Sequence, residues 1–390
     1  MYVVIGQGAA GASAAMELRR LNRQAPVTLI SAENRGFYSR IDLPDIVAGK
    51  YPPQEALLRS EEQFRQQGVT CLTGQTVVRL LPRERRVELS CGRSLSYGKL
   101  LLALGASPLL PPLPGIGARG VCHLWTLEQA ETVLSLTADA QSAVVIGAGL
   151  IGLKTALALA GRGMQTTLLE RSATVMPQQL DAAGGKIIET ALRQEGIDVI
   201  TEAVVEALES DHGRVSGVRV NGRRIACQLV VVAAGVRPNT ALARAAGLAV
   251  QSGIVVDRYL RSSQPDIYAA GDVAEVPGLS GTASVSATWP AAVEQGEIAA
   301  RNMAGEAMAY PGYLAMNSVE LAGIALASAG DIAGGDGDEI DVERTASGGY
   351  RRLVFSNGRL KGFLLLGDIR QAGILTGAIC RSLRAKTAAV

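Results

Sequence analysis

The chain has little of what most catalytic and binding classes need. Only two histidines occur, His123 in the apolar VCHLW and His212 in the turn-like SDHGR, which supports neither a Ser-His-Asp hydrolase nor a histidine metal site. Five cysteines, Cys71, Cys91, Cys122, Cys227 and Cys380, lie far apart and form no CxxC or CxxxxC pair, so no zinc site or redox dithiol is encoded locally. Four of them sit in apolar or strand-like stretches (VTCL, GVCHL, IACQL, GAICRS) and read as buried, inert thiols. An excess of one charge is lacking too. With 38 Lys and Arg against 36 Asp and Glu, the formal net charge is +2, without the basic footprint of nucleic-acid binders. No apolar run reaches the roughly 18–20 uninterrupted residues of a membrane span. The nearest, LLLALGASPLLPPLPG, is too short and too rich in proline. The opening MYVVIGQG begins a strand at residue 2 and leaves no cleavable leader, so the expected place is the cytoplasm.

What is present is glycine and apolar residue in α/β proportion. The 390 residues, 48% of them hydrophobic, with 45 glycines, allow two or three domains of that class. The glycines are organised. In YVVIGQGAAGASAAMELRRL a β-rich run leads into Gly6, Gly8 and Gly11 and then an alanine-rich helix; a second strand, VTLI, ends near Glu33. Gly6 permits the tight turn, Gly8 lets a pyrophosphate approach the backbone, and Gly11 lets helix and strand pack closely. The helix N-terminus receives the phosphates, and the acid ending the second strand accepts from a ribose hydroxyl.

SAVVIGAGLIGLKTALALAGRGMQTTLLER repeats the plan with Gly147, Gly149, Gly152 and a strand ending at Glu170. Two fingerprints imply two dinucleotides, since each half holds one. A carboxylate at 170 pairs with a free 2′-hydroxyl and repels a 2′-phosphate, favouring NADH, while the adjacent Arg171 leaves NADPH open. Lys154 is out of character there: it adds positive charge near a helix start where the macrodipole is already positive. A third element, SSQPDIYAAGDVAEV, delivers Gly271 and Asp272 at the end of a strand, where open α/β sheets bind ligands. KLLLALGASP and QLVVVAAGVRPN each place a glycine, Gly105 and Gly235, after an apolar strand.

In this order the segments resemble the FAD-dependent pyridine nucleotide–disulfide oxidoreductase superfamily over essentially the whole chain. The resemblance implies two Rossmann-like domains of glutathione-reductase type and a small α+β C-terminal domain. It divides the chain into an FAD-binding domain at 1–108 and 240–308, an NAD-binding domain at 109–239, and a C-terminal interface or docking domain at 309–390. FAD would lie on Gly6, Gly8, Ala9, Gly11, Glu33, Arg40, Val77, Gly105, Gly271 and Asp272. NAD would lie on Gly147, Gly149, Leu150, Ile151, Gly152, Glu170 and Gly235. The tail segments TWPAAVEQGEIAARNMAG and YRRLVFSNGRLKGFLLLGDI are similar to the NADH:rubredoxin oxidoreductase branch, in which Trp289 and Pro290 open a helix facing the flavin. A helix dipole there stabilises anionic reduced flavin.

Relatives that reduce disulfides or peroxides carry a cysteine just before a Leu-Pro; with Leu43 and Pro44 fixing the register, Ile41 stands here. Electrons are therefore expected to leave the flavin directly, to an iron–sulfur carrier or subunit of rubredoxin or ferredoxin type. The arginine clusters (Arg83, Arg85, Arg86; Arg351, Arg352; the tail CRSLRAK) offer a means of steering an acidic carrier. Carrier-reducing relatives pair a lysine near the flavin with a glutamate in the second fingerprint's helix. Here Asp45 and Lys154 stand at those positions with the charges exchanged, so an Asp45–Lys154 ion pair is expected. An NADH oxidase using oxygen, a non-catalytic redox subunit, a homodimer and a hetero-oligomer all stay open.

Overall fold

The computed structural model describes residues 1–279, 282–344 and 349–387, with side chains through residue 383. Residues 388–390 of the expected C-terminal domain, and the side chains of Arg384 and Lys386 in the tail cluster, lie outside the described residues.

The chain forms two compact units. The first comprises Met1–Ser39, Leu57–Ser107 and Arg237–Leu314. At its centre is a parallel sheet in the order Ile267–Ala269, Lys99–Leu102, Tyr2–Ile5, Val27–Ile30, Val69–Leu72. Parallel strands covered on both faces show no polar side to water, which is why these read as unbroken apolar runs. Val3, Val4, Leu100, Leu101 and Leu102 are fully buried. Strand order reverses between Tyr2–Ile5 and Lys99–Leu102, the point at which such sheets bind ligands beyond their carboxyl ends. The Ala9–Leu21 helix starts there and packs along the Trp289–Ala304 helix. Gly296 makes that approach attainable, because a Cβ on it would lie 2.2 Å from the carbonyl oxygen of Ala10. An antiparallel meander, Val77–Leu81, Arg86–Leu89 and Ser94–Ser96, completes this unit.

The second unit comprises Arg40–Ala56, Pro108–Val236 and Ala315–Val390. Its parallel sheet runs Val121–Cys122, Leu229–Val232, Ser142–Ile146, Gln165–Leu169, Ile197–Ile200. Four strands repeat the order of the first sheet, with the reversal between Ser142–Ile146 and Leu229–Val232, but the outer strand Val121–Cys122 precedes them in sequence where Ile267–Ala269 follows. Residues 40–56, which fall inside the expected 1–108 segment, cluster here. The short Leu43–Val47 helix buries Leu43, Ile46 and Val47 against the Leu127–Leu136 and Leu150–Gly161 helices.

The C-terminal residues form an antiparallel sheet, Met316–Leu321, Ile324–Gly330, Arg359–Leu366, Tyr350–Ser356, Glu339–Arg344, backed by the Ala372–Thr387 helix. This sheet clusters with the second unit. Asp181 links the two parts: it caps the Ala182–Gln194 helix through the Gly184 N–H (2.8 Å), accepts from the Tyr350 hydroxyl (2.5 Å) and pairs with Arg352 at 3.5 Å.

The helix crossing in the first unit gives a direct test. Gly296→Ala should cost the purified protein about 1–3 kcal/mol by overpacking, seen as a lower urea midpoint with the slope unchanged. An unchanged midpoint would show that the helices can separate freely.

Candidate functional site

The two glycine turns are nearly the same object built twice. Gly6 has φ +107° and a Cβ there would lie 2.0 Å from the Ala103 carbonyl oxygen; for Gly147 the values are +103° and 2.4 Å from Ala233. Any other residue would be both strained and blocked. The third glycines let the helix press on the turn: a Cβ on Gly11 would lie 1.8 Å from the Gly6 carbonyl oxygen, and one on Gly152 1.9 Å from that of Gly147. The middle glycines differ in kind. A Cβ on Gly8 or Gly149 meets nothing within 4 Å, so the protein's own packing does not require glycine there. What a methyl would fill is the space beside an exposed helix end.

Those ends are uncapped. Gly8 and Gly149 open the Ala9–Leu21 and Leu150–Gly161 helices with no side chain accepting from the first turn. Other helices are capped by side chains: Thr126 forms a capping box with Gln129, and Asp181 holds the Gly184 N–H, although the short helices after Asp42 and Thr240 are not. A helix start with free N–H groups, positive dipole and room for a ligand is an anion site. Ala9, Leu150 and Ile151 lie in those first turns. The Trp289–Ala304 helix is similar: Pro290 stands in its first turn, and Thr288 at the cap has a buried hydroxyl without a partner among the described residues. Trp289 is half-buried and stacks on Phe37, with centroids 5.5 Å apart.

The acids at the strand ends are held differently. Glu33 accepts from the Tyr38 hydroxyl at 2.5 Å. Glu170 is buried and accepts from the Ala148 N–H (2.8 Å) and the Ser172 N–H (2.7 Å), tying the second glycine turn to the strand beside it. Its oxygens keep lone pairs for hydroxyl donors. Arg171 is exposed and has no ion-pair partner among the described residues.

The remaining expected residues fall at strand ends or near them. Gly271 and Asp272 follow Ile267–Ala269, and the Gly271 N–H donates to Gln295 Oε1 at 2.8 Å. Gln295 is fully buried on the Trp289–Ala304 helix and was missed by sequence reasoning, since nothing local marks a helix glutamine as the anchor of a distant turn. Asn239 was missed for the same reason; it donates to the Leu104 carbonyl (2.9 Å) and steadies the turn at Gly105. Gly235 follows the Leu229–Val232 strand with φ +108°. Val77 opens the meander, buried. Arg40 falls in the second unit and donates to the Trp125 carbonyl at 2.5 Å.

One expectation is corrected. Asp45 does not pair with Lys154. It pairs with Lys50 at 2.6 Å, five residues on, in a loop already closed by the Lys50 N–H on the Asp45 carbonyl (3.0 Å). Lys154 is half-buried and has no carboxylate partner among the described residues. The arginine clusters are also largely neutralised at home: Arg85 by Asp266, Arg86 by Glu84 and Glu88, Arg351 by Asp341 and Glu343, Arg352 by Asp181. Of the four cysteines expected to be buried, Cys227 is, and Cys71, Cys122 and Cys380 are half-buried. Burial pushes the thiols of Cys71 and Cys122 up to about 11 and that of Cys227 to about 12, far from thiolate chemistry at neutral pH. Among the described residues, no group of three or more His, Cys, Asp or Glu is placed to hold a metal ion, and no helix is long and apolar enough to cross a membrane.

Two phosphate-accepting turns on two parallel sheets, with an acid at the end of each second strand, define a protein of the two-dinucleotide oxidoreductase class. Comparison with known proteins agrees. Residues 1–296 match the pyridine nucleotide-disulphide oxidoreductase family and residues 316–383 the rubredoxin NAD+ reductase C-terminal domain. The chain is 36% identical to rhodocoxin reductase of Rhodococcus erythropolis over 79% of its own length and 73% of that protein's. It is 32% identical to the assimilatory nitrate reductase electron transfer subunit of Bacillus subtilis over 94% of its length, spanning about half (48%) of that subunit. A ferredoxin reductase from Rhodopseudomonas palustris has the same fold, with TM-score 0.88 at 28% identity, covering 94% of this chain and 91% of that one. The chain belongs to the pyridine nucleotide-disulphide oxidoreductase family. It is a flavoprotein of that family, with FAD and a nicotinamide nucleotide as its cofactors.

The glycines separate packing from binding. Gly11→Ala should lower the stability of the apoprotein in urea, whereas Gly8→Ala should leave it within about 0.5 kcal/mol of the parent and weaken dinucleotide retention. Equal loss of apoprotein stability in both would refute the distinction.

Proposed function

We propose that this chain takes hydride from NADH into FAD and passes electrons singly to an iron–sulfur carrier or subunit of rubredoxin or ferredoxin type. The observation that carries the reading is the pair of uncapped glycine turns, one in each unit, each with a middle glycine that packing does not require. The names of the relatives support the choice of acceptor class, as does Ile41 at the position where disulfide-reducing relatives carry a cysteine.

The residues would act as follows. The first turn, with Glu33, Asp272 and Gly271, holds FAD in the first unit; the second turn, with Glu170, holds NADH in the second. Glycine N–H groups and helix ends take the diphosphates, and the carboxylates take ribose hydroxyls. The flavin, when bound, supplies the conversion of a two-electron donor into one-electron deliveries. The Trp289–Ala304 helix presents an uncapped positive end, which favours negative charge beside it. Lys154 supplies a cation not neutralised by any carboxylate among the described residues, suited to the nicotinamide carboxamide or to charge that develops during transfer. The division into an FAD domain (1–108 and 240–308), an NAD domain (109–239) and a docking segment (309–390) is part of this proposal. So is a cytoplasmic place, where the five free cysteines stay reduced.

An anaerobic titration with NADH and then NADPH, followed by flavin absorbance, tests the reading. Stoichiometric bleaching by NADH, with turnover faster on an added iron–sulfur carrier than on oxygen, is the expected outcome. A flavin that neither nucleotide bleaches points to a subunit fed by a partner, and oxygen outrunning every carrier points to an oxidase. Arg171→Ala should selectively reduce whatever NADPH use the parent shows, because it removes the exposed cation beside the ribose-binding acid. Lys154→Met should slow bleaching by NADH at least several-fold while Asp45→Asn leaves it unchanged; equal rates for Lys154→Met and the parent would remove Lys154 from the site.

A further inference from the structure

The two turns match in φ, in Cβ clearance and in their uncapped helix starts, and of the positions at which their residues differ one carries polar atoms, the residue between the first two glycines. In the second turn that residue is Ala148. Its N–H donates to Glu170 Oε2 (2.8 Å) and its carbonyl accepts from the Met176 N–H (2.9 Å), so the protein satisfies the slot completely by itself. In the first turn it is Gln7. Its side chain is nine-tenths buried, and neither the amide nitrogen nor the amide oxygen has a partner among the described residues. Its backbone N–H and carbonyl have none there either.

A buried primary amide left without partners is a large local penalty, and native structures tolerate few of them. Two more such atoms lie on segments of the same unit that flank the expected flavin residues: Gln75 Oε1 two residues before Val77, and Thr288 Oγ1 directly before Trp289. Three of the six residues that carry such atoms thus stand in or beside the first site's expected residues, the others being Arg86, Tyr97 and Arg351, whereas no residue of the second turn carries one.

We propose that Gln7 is a dinucleotide-holding residue of the first site: its side-chain amide is completed by the resident FAD, and this makes the first site retentive while the self-satisfied second turn exchanges its ligand freely. The inference rests on FAD occupying the first turn, and it adds a residue that the glycine fingerprint leaves unspecified. Glutamine offers two donors and an acceptor from one planar group, which suits a ligand edge with mixed donors and acceptors, whereas an alanine in the same slot offers none.

The test uses the purified holoprotein, its reversibly deflavinated form, and the variants Gln7→Leu and Gln7→Ala. Leucine keeps the volume and removes only the polar atoms. The expected result is opposite movement of two readouts. The urea midpoint of the deflavinated Gln7→Leu protein stays level or rises, since an unpaired amide has been removed. Its Kd for FAD, read from recovery of flavin fluorescence on dilution, rises roughly tenfold or more. Nucleotide affinity at the second site stays unchanged. A Kd for FAD within twofold of the parent would overturn the proposal, with water as the amide's partner. Parallel loss of apoprotein stability and FAD affinity would overturn it too, by showing a purely structural role. If Gln7→Leu fails to fold, Gln7→Ala gives the same comparison without a branched side chain. Failure of the underlying reading is recognised separately, because the parent itself would then retain no FAD.

Discussion

One close approach governs the rest of each unit: a helix laid so tightly over the strand it follows that the third glycine touches the carbonyl of the first. A methyl on Gly11 or Gly152 would sit 1.8 or 1.9 Å from that oxygen. This contact fixes the direction of the helix relative to the sheet, and so decides where its unpaired N–H groups point. Because no side chain caps either helix, the positive ends stay available at the place where strand order reverses. In the first unit the contact is reinforced from behind, where Gly296 admits the Trp289–Ala304 helix to the Ala10 carbonyl. The alanines that look like simple helix formers in AAGASAAMELRRL are there because two helices meet at backbone distance.

Burial holds three of the five thiols away from thiolate chemistry. Cys71, Cys122 and Cys227 lie on strands or against them, and an apolar surrounding disfavours the thiolate, so their pKa values stand near 11 to 12. At these three positions a thiolate–disulfide couple that could take an electron pair from a flavin is therefore disfavoured. For these three the constraint comes from the surroundings of each cysteine as well as from their spacing.

Much of this was legible in the sequence, for a physical reason. Glycine turns, buried parallel strands and terminal acids are local, and each imposes a residue type at a fixed offset; the strands ending at Ile5, Ile30 and Ile146 appear where the runs YVVI, VTLI and SAVVI predict, and the strand expected to end at Glu170 ends one residue earlier, at Leu169. What was not legible depends on distance across the fold. Gln295 and Asn239 anchor turns 24 and 135 residues away, and nothing in their own neighbourhood says so. The clustering of residues 40–56 with the second unit likewise comes from Leu43, Ile46 and Val47 packing on helices almost a hundred residues on.

The Asp45–Lys154 expectation failed for an instructive reason. Complementary charge says that two groups would attract, but a carboxylate chooses among all cations within reach, and closing a short loop costs less than closing a long one. Lys50 is already held beside Asp45 by a backbone hydrogen bond, so its ammonium needs little further ordering to arrive. The result leaves Lys154 half-buried, without a counter-charge among the described residues, near the start of a helix whose dipole is positive there. A lysine in that position is stabilised by nothing local that would explain it. What would offset both penalties is an anionic or acceptor group brought by a ligand to the same helix end, which makes the missing partner stronger evidence for a binding role than the expected ion pair would have been.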